Sequence, residues 1–447
     1  MSTRFIKVNS FDSEAASGLD ARTRKLVERR QRVLTPGVKL FYERPLELVR
    51  GKGTAVYDAD GTRYLDAYNN VPVIGHCHPS WVEAVTVQAA ALNTNTRYLS
   101  RQILDYGERL LATHGEGLER AIFTSSGSEA VDVALRIAFH ATGRDGVVVS
   151  ANAYHGVTGL TAAISPSFGA GPAPRVRTVP APLGADPGAA RGERFAADLA
   201  RAIAELESEG TGVAALVFDT VFASDGLAAE PGLLAGAAEL ARSAGALLIC
   251  DEVQAGFGRT GEAMWGYQRH GVVPDLAAMG KPMGGGMPAG GVVGRAELID
   301  SFTAEVGFFS TFGGSSVPVA AARAVLETIA AENLVENAAA VGAHLGDGLR
   351  GLAARSEELG EVRGVGLYFM VDVVDAEGRP AAAGASRIVN AMRDRGVLVS
   401  ATGPAAASLK IRPPLPFSVA DADQLLAALG DILATASEGR GEASRVR

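Results

Sequence analysis

The sequence predicts an α/β protein: a large domain with a mostly parallel central sheet and helices on both faces, plus a small α+β domain drawn from both chain ends. Three observations predict it. Short aliphatic runs at 147–150, 213–218 and 246–250, each bounded by polar residues or glycine, read as buried strands. Alanine-rich stretches at 130–141, 233–244 and 318–331 carry apolar residues near 3.6 spacing and read as helices, so strands and helices alternate. Beyond Glu332 the character changes to helix and then strands at 365–373 and 409–411, while 55–57 and 64–66 flank a turn at 58–61 and read as a hairpin. The expected division is 1–66 as an N-terminal segment and part of the small domain, 67–331 as the large domain, 332–436 as the C-terminal small domain and 437–447 as a mobile polar tail. The first thirty residues are polar without sustained periodicity, and the Pro- and Gly-rich stretch 165–194 reads as a long surface loop.

Composition excludes several classes. The 447 residues carry 42 Lys and Arg against 50 Asp and Glu, a net charge of −8, which argues against a nucleic-acid or anionic-membrane partner. A 47% hydrophobic content is that of a globular chain. Two cysteines, Cys77 and Cys250, cannot form a disulfide scaffold and suit a reducing compartment. The N-terminus has no signal-peptide core and no run reaches membrane-span length, so the expectation is a cytoplasmic enzyme.

Three segments could carry chemistry. Ser126, Gly127 and Ser128 open a helical pattern, where backbone N–H groups, hydroxyls and the positive end of the helix dipole suit a phosphate; Ser126 with Glu129 fits a helix cap equally well. Asp251 follows the run 246–250, and the C-terminal end of a parallel strand is where α/β proteins hold ligands, although a capping role is as compatible. Lys281 stands between Gly280 and a later glycine run, in a low-polarity stretch that can depress an amine's pKa and make it a nucleophile or base. Two other patterns are set aside. Gly256, Gly258 and Gly261 match G-x-G-x-x-G but lack the strand-then-helix context of dinucleotide binding, and His76 with His78 has no accompanying ligand cluster at zinc spacing. Together, a phosphate cradle, a strand-end carboxylate and a lysine thirty residues after it are what pyridoxal phosphate requires: an anchor, a partner that keeps the pyridine nitrogen protonated, and an amine for the Schiff base.

At these residues the chain resembles the class III aminotransferases, enzymes of the type I pyridoxal-phosphate fold, over about residues 40–426. The likeness includes Tyr64 to Asp66, Gly75 to Pro79, Ser126 to Ala130, Tyr154 to Gly156, Asp251 to Gln254, Gly280 with Lys281, and Ser310 to Gly314. The resemblance implies that Lys281 forms the Schiff base and moves protons, Asp251 pairs with the pyridinium, Gln254 bonds the ring phenolate oxygen and Tyr154 stacks on the ring. It also implies that Ser126, Gly127 and Ser128 hold the phosphate and that Thr311 reaches the same phosphate from a neighbouring subunit. A homodimer with shared active sites is therefore expected.

Within the family the segments 68–79, 92–99 and 409–415 are similar to those of the phospho-lyases that act on ethanolamine phosphate and phosphohydroxylysine. Lys410 stands where transaminases of the class carry an arginine that grips a carboxylate, and a lysine does not replace an arginine fork. Arg412 shares a strand face with Lys410, so the pair could serve a phosphate or another anion. Asp219 and Thr220 replace the Glu-Pro of many relatives, which also points away from glutamate handling. The implied function is action on a small-molecule primary amine through an external aldimine, with β-elimination of phosphate. The alternative is amino transfer to or from an amino sugar or other ω-amine, as in aminoglycoside biosynthesis.

Overall fold

A computed structural model describes residue 11 and residues 18–35, 37–168, 173–184, 186 and 188–445. Three sheets organise them. The N-terminal strands are β1 (Leu48–Lys52), β2 (Ala55–Asp58) and β3 (Arg63–Asp66). The central strands are β4 (Arg120–Thr124), β5 (Gly146–Ser150), β6 (Val176–Val179), β7 (Val213–Asp219), β8 (Leu247–Asp251), β9 (Leu276–Met279) and β10 (Gly290–Gly294). The C-terminal strands are β11 (Leu359–Val365), β12 (Tyr368–Val373), β13 (Val397–Leu398), β14 (Ser400–Thr402) and β15 (Ser408–Ile411).

The central sheet has the order β4-β10-β9-β8-β7-β5-β6, parallel from β9 through β6, with β10 running antiparallel between β4 and β9. Because residues alternate sides along a strand, Leu247 and Ile249 join one apolar cluster and Leu248 and Cys250 the other. Helix Gly127–Thr142 covers the first face through Ala130, Ala134, Leu135 and Ile137; helices Gly188–Ser208 and Ala235–Ala244 cover the second through Phe195, Leu199 and Ala237. A sheet covered on both faces explains why its strands read as unbroken aliphatic runs.

The chain ends meet. β13 extends the N-terminal sheet by pairing parallel to β3, with Val397 opposite Leu65 and Leu398 opposite Asp66, and the Tyr42 hydroxyl donates to Val399 O at 3.1 Å. The C-terminal sheet has the order β11-β12-β15-β14.

Three expectations are corrected, and a helix runs on into the expected tail. The charged N-terminal region holds a helix, Ala21–Val33, capped by Asp20, whose carboxylate accepts from Arg22 N and Thr23 N. The stretch 165–194 is not one loop: it contains β6 and the start of helix Gly188–Ser208. The run 365–373 is the end of β11 and all of β12, separated by a turn at Gly366 with φ of 53°. Helix Val419–Arg445 runs through most of the expected tail, of which 446–447 lie outside the described residues, as do 1–10 and 12–17 of the N-terminal segment.

Candidate active site

The strands β4, β5, β7, β8 and β9 all run the same way, so the segments that follow them gather at one end of the sheet. After β4, Ser126 caps helix Gly127–Thr142, its hydroxyl accepting from Glu129 N at 3.2 Å while Glu129 accepts from Ser125 N at 2.7 Å. The capping reading is therefore realised. It leaves the Ser126 O–H as a donor, and the first-turn N–H groups of Gly127 and Ser128 are ones that a helix cannot satisfy internally. A cavity of about 200 Å³ opens beside this helix start, lined by Gly127, Ser128, Tyr154, His155, Gly156, Asp251, Val253, Gln254 and Lys281.

Close backbone approach builds its walls. A Cβ on Gly280 would lie 2.8 Å from Gly127 Cα and 2.9 Å from Gly127 N, so the segment that carries Lys281 rests directly on the helix start. Gly156, at φ of 143°, would bring a Cβ within 2.5 Å of Ser128 Oγ.

Asp251 is held by two contacts: Val253 N donates to Oδ1 at 3.0 Å and His155 Nδ1 donates to Oδ2 at 2.7 Å. Both side chains of this pair are buried. His155 itself lies in the segment quoted for its likeness, yet sequence reasoning gave it no role; its partner is 96 residues away. Val253, packed against Gly127, was likewise missed as a cavity wall.

Lys281 Nζ lies 5.9 Å from the centre of the Tyr154 ring. Burial, followed by the charge of Arg412, presses the amine from 10.5 down to about 8, against the opposing pull of Asp251 and Asp219. Burial and then Asp251 raise the Tyr154 phenol above its ordinary value.

Asp219 neighbours Asp251 across β7 and β8, and its oxygens accept from Val221 N and Ala223 N, both at 3.0 Å. It thus shapes its own turn; burial first, and Asp251 second, push its carboxyl up to about 6. Thr220 hydroxyl donates at 3.1 Å to the buried Glu252, which also accepts from Gly266 N and Tyr267 N, so the residue after Asp219 ties β7 to β8.

Lys410, on β15, and Arg412, just beyond its end, come together with this site from the C-terminal sheet, and Lys410 Nζ lies 5.4 Å from the Tyr368 ring centre. Burial, Arg412 and Lys281 drive the Lys410 amine well below 10.5, opposed by Asp219. Arg412 differs from the expectation of a free anion ligand: its guanidinium donates to Gln254 Oε1 and lies over the rings of Tyr68 and Tyr368. Thr311 is exposed in the segment before helix Ser316–Ala331 and does not line this chain's cavity.

The residues fit pyridoxal phosphate. Helix-start donors face one part of the cavity, a carboxylate fixed by a histidine faces another, and a depressed amine stands among them, with glycines leaving room that a Cβ would fill. Comparison with known proteins agrees. Residues 42–433 match the aminotransferase class-III family. An alanine–glyoxylate aminotransferase 2-like protein of Drosophila melanogaster is 35% identical over 90% of this chain and 85% of its own. An ethanolamine-phosphate phospho-lyase homolog of Caenorhabditis elegans is 34% identical over 94% of this chain and 95% of its own. Among solved structures, a phospholyase from Arthrobacter in complex with phosphoethanolamine superposes with a TM-score of 0.88 at 43% identity, covering 92% of this chain and 99% of that one. The chain belongs to the class III aminotransferase family, and its cofactor is pyridoxal 5'-phosphate.

Proposed function

We propose that the protein eliminates phosphate from a phosphorylated primary amine. The observation that carries this reading is Lys410: a half-buried amine on β15, close enough to Lys281 for the two charges to oppose each other, at the position where a transaminase would offer a carboxylate-gripping arginine. A point charge suits a phosphate monoester better than it suits the planar, two-pronged recognition of a carboxylate. The likeness to the Arthrobacter phospholyase and to the nematode phospho-lyase homolog supports it.

Bound pyridoxal phosphate would supply an electron sink for the carbon next to the substrate nitrogen. Gly127 N, Ser128 N and the hydroxyls of Ser126 and Ser128 would hold its phosphate, and Asp251, oriented by His155, would hold the protonated pyridine nitrogen. Lys281 Nζ would take the proton from the carbon bearing the nitrogen, a task suited to an amine that burial holds below its ordinary value. Lys410 would hold the phosphate ester as its carbon–oxygen bond breaks and the electron pair leaves with phosphate. The unsaturated amine that remains would regain a proton at the carbon that lost phosphate, and water would convert it to an aldehyde and ammonium, so no amino acceptor is consumed.

Thr311 would act from a partner copy. An exposed apolar row, Tyr98, Leu99, Leu104, Phe309 and Phe312, flanks it and supports a dimer in which the cofactor phosphate is shared. The test of function incubates the purified holoenzyme with phosphoethanolamine and assays phosphate and ammonia. Equal release of both, without any keto acid, is expected. Conversion of the bound cofactor to its amine form by glutamate or alanine, with no phosphate released from phosphorylated amines, would overturn the reading in favour of amino transfer.

A further inference from the structure

We infer that Arg412 is a positioning residue: by holding Gln254 through its amide oxygen, it presents the amide N–H groups to the phenolate oxygen of the cofactor. The argument begins with what each group can do. A guanidinium has five donors and no acceptor, whereas a glutamine amide has an oxygen that accepts and a nitrogen that donates. Left alone, a glutamine beside the cavity can turn either end inward. With Arg412 Nη1 donating to Gln254 Oε1, only the nitrogen end is left for a cofactor oxygen. The contact is charge-assisted, and it polarises the amide so that the remaining N–H groups become stronger donors.

The surroundings fix Arg412 in this task. Only 5% of the residue is exposed; its N–H donates to Ala67 O at 2.8 Å, Nη2 donates to Tyr68 O at 3.5 Å, and the guanidinium carbon lies 5.5 and 5.6 Å from the Tyr68 and Tyr368 ring centres. A cation between two aromatic faces has little freedom to swing toward another partner.

A second buried arginine secures the same glutamine from its other end. Arg259 is fully buried, donates to Leu367 O at 3.1 Å and to Pro413 O, and donates at 2.7 Å to Asn70 Oδ1. That bond turns the Asn70 amide so that Nδ2 donates to the backbone oxygen of Gln254 at 3.4 Å. Arg259 lies in the glycine-rich stretch 256–261, whose match to a nucleotide-binding pattern thereby finds a different use. Gly366 has to lack a Cβ for Arg259 O to come as close as it does, at 2.4 Å from where that atom would stand.

The inference rests on Gln254 meeting the cofactor's phenolate oxygen, and it holds whether the enzyme eliminates or transfers. The experiment is a spectral pH titration of the holoenzyme without substrate, following the yellow band of the lysine-bound cofactor. A donor on the phenolate oxygen weakens its hold on the neighbouring proton, so losing that donor moves the titration midpoint up. Arg412→Met and Gln254→Leu should each raise the midpoint by about one unit, the scale of one hydrogen bond to a charged group. The double variant should shift no further than Arg412→Met, in which the loss of a charge beside Lys281 adds to the loss of the positioned donor. Arg412→Lys, which can still donate to Oε1, should stay near the unsubstituted value and guards against a variant that fails to fold. Lys281, Lys410, Asp219 and Asp251 face the same space and are present in every arm. Additive shifts would mean that Arg412 acts as an independent charge, and an unmoved midpoint in either single variant would overturn the proposal. Phosphate release is measured separately, so failure of the elimination reading leaves this result legible.

Discussion

Replacing Gly280 by alanine puts a methyl group 2.8 Å from Gly127 Cα, 2.9 Å from Gly127 N and 3.3 Å from Val253 Cγ2. The two nearest atoms are backbone, at the first turn of a helix whose body is buried under the sheet, so neither can rotate away. Gly280 is not among the positive-φ glycines, which leaves space as the whole of the difficulty. Carbon atoms rest at about 3.5–4.0 Å, so the two segments must part by roughly 0.7 Å. Overpacking of this kind costs about 1–3 kcal/mol. Because the movement separates Lys281 from the phosphate cradle, that cost falls on cofactor binding and weakens it about 5- to 150-fold. Titration of the apoprotein with pyridoxal phosphate reads the loss directly. Gly192→Ala is the control: nothing lies within 4 Å of its Cβ, and in helix Gly188–Ser208 an alanine should add about 0.5–1 kcal/mol of stability with no change in affinity. A Gly280→Ala protein with unaltered affinity and melting temperature would refute the contact.

Three further outcomes are expected. In the apoprotein Lys281 titrates near 8 when folded and near 10.5 when unfolded, so the unfolded chain binds more protons between these values and stability rises with pH across them. Lys281→Met should therefore stabilise the apoprotein at pH 7, by on the order of 3 kcal/mol, and the advantage should fade toward pH 10.5; denaturant melts at pH 7 and 10 check it, and a pH-independent difference would count against it. Lys410→Met should raise KM for a phosphorylated amine about 10- to 150-fold, the value of one charged hydrogen bond, with a smaller loss in kcat; steady-state phosphate release measures this. Leu99→Asp, at a wholly exposed position in the apolar row, should shift the protein toward a monomer in sedimentation and lower activity in parallel, since Thr311 would no longer reach a partner's cofactor.

Of the central strands, β4, β6 and β9 gave no reading, β6 lying inside the stretch expected to be a loop, while β5, β7 and β8 were legible because they are aliphatic on both faces; 147–150, 213–218 and 246–250 fall within one residue of them. β10 was not, since Gly290–Gly294 has three glycines in five residues and little intrinsic strand preference. It is a strand because the fold leaves no room for anything larger: a Cβ on Gly290 would meet Ser126 O at 2.5 Å and one on Gly294 would meet Leu276 Cδ2 at 2.4 Å. Helix Ala21–Val33 buries only Val27, so it offers no apolar stripe to detect. The site divides in the same way. Asp251 follows a readable strand and the Ser126 turn opens a readable helix, whereas Lys281 stands out by its flanking glycines, since β9 before it gave no reading. The link from His155 to Asp251 joins segments after β5 and β8 that only the strand order of the central sheet brings together, and that from Arg412 to Gln254 needs the C-terminal sheet to pack against the central one.

The pairing of β3 with β13 also sets an order of events during synthesis. Leu65 is made early, but its neighbour Val397, the Leu398 carbonyl that takes Ala67 N and the Val399 carbonyl that takes the Tyr42 hydroxyl are made near the end. Until they emerge, one edge of β3 stays open, a strand edge of the kind that chaperones bind and that aggregates grow from. A nascent chain can therefore close its central sheet while its amino-terminal lobe still waits to dock. Loss of the last fifty or so residues would harm the first seventy as much as the region removed, because so non-local a contact is among the last to form.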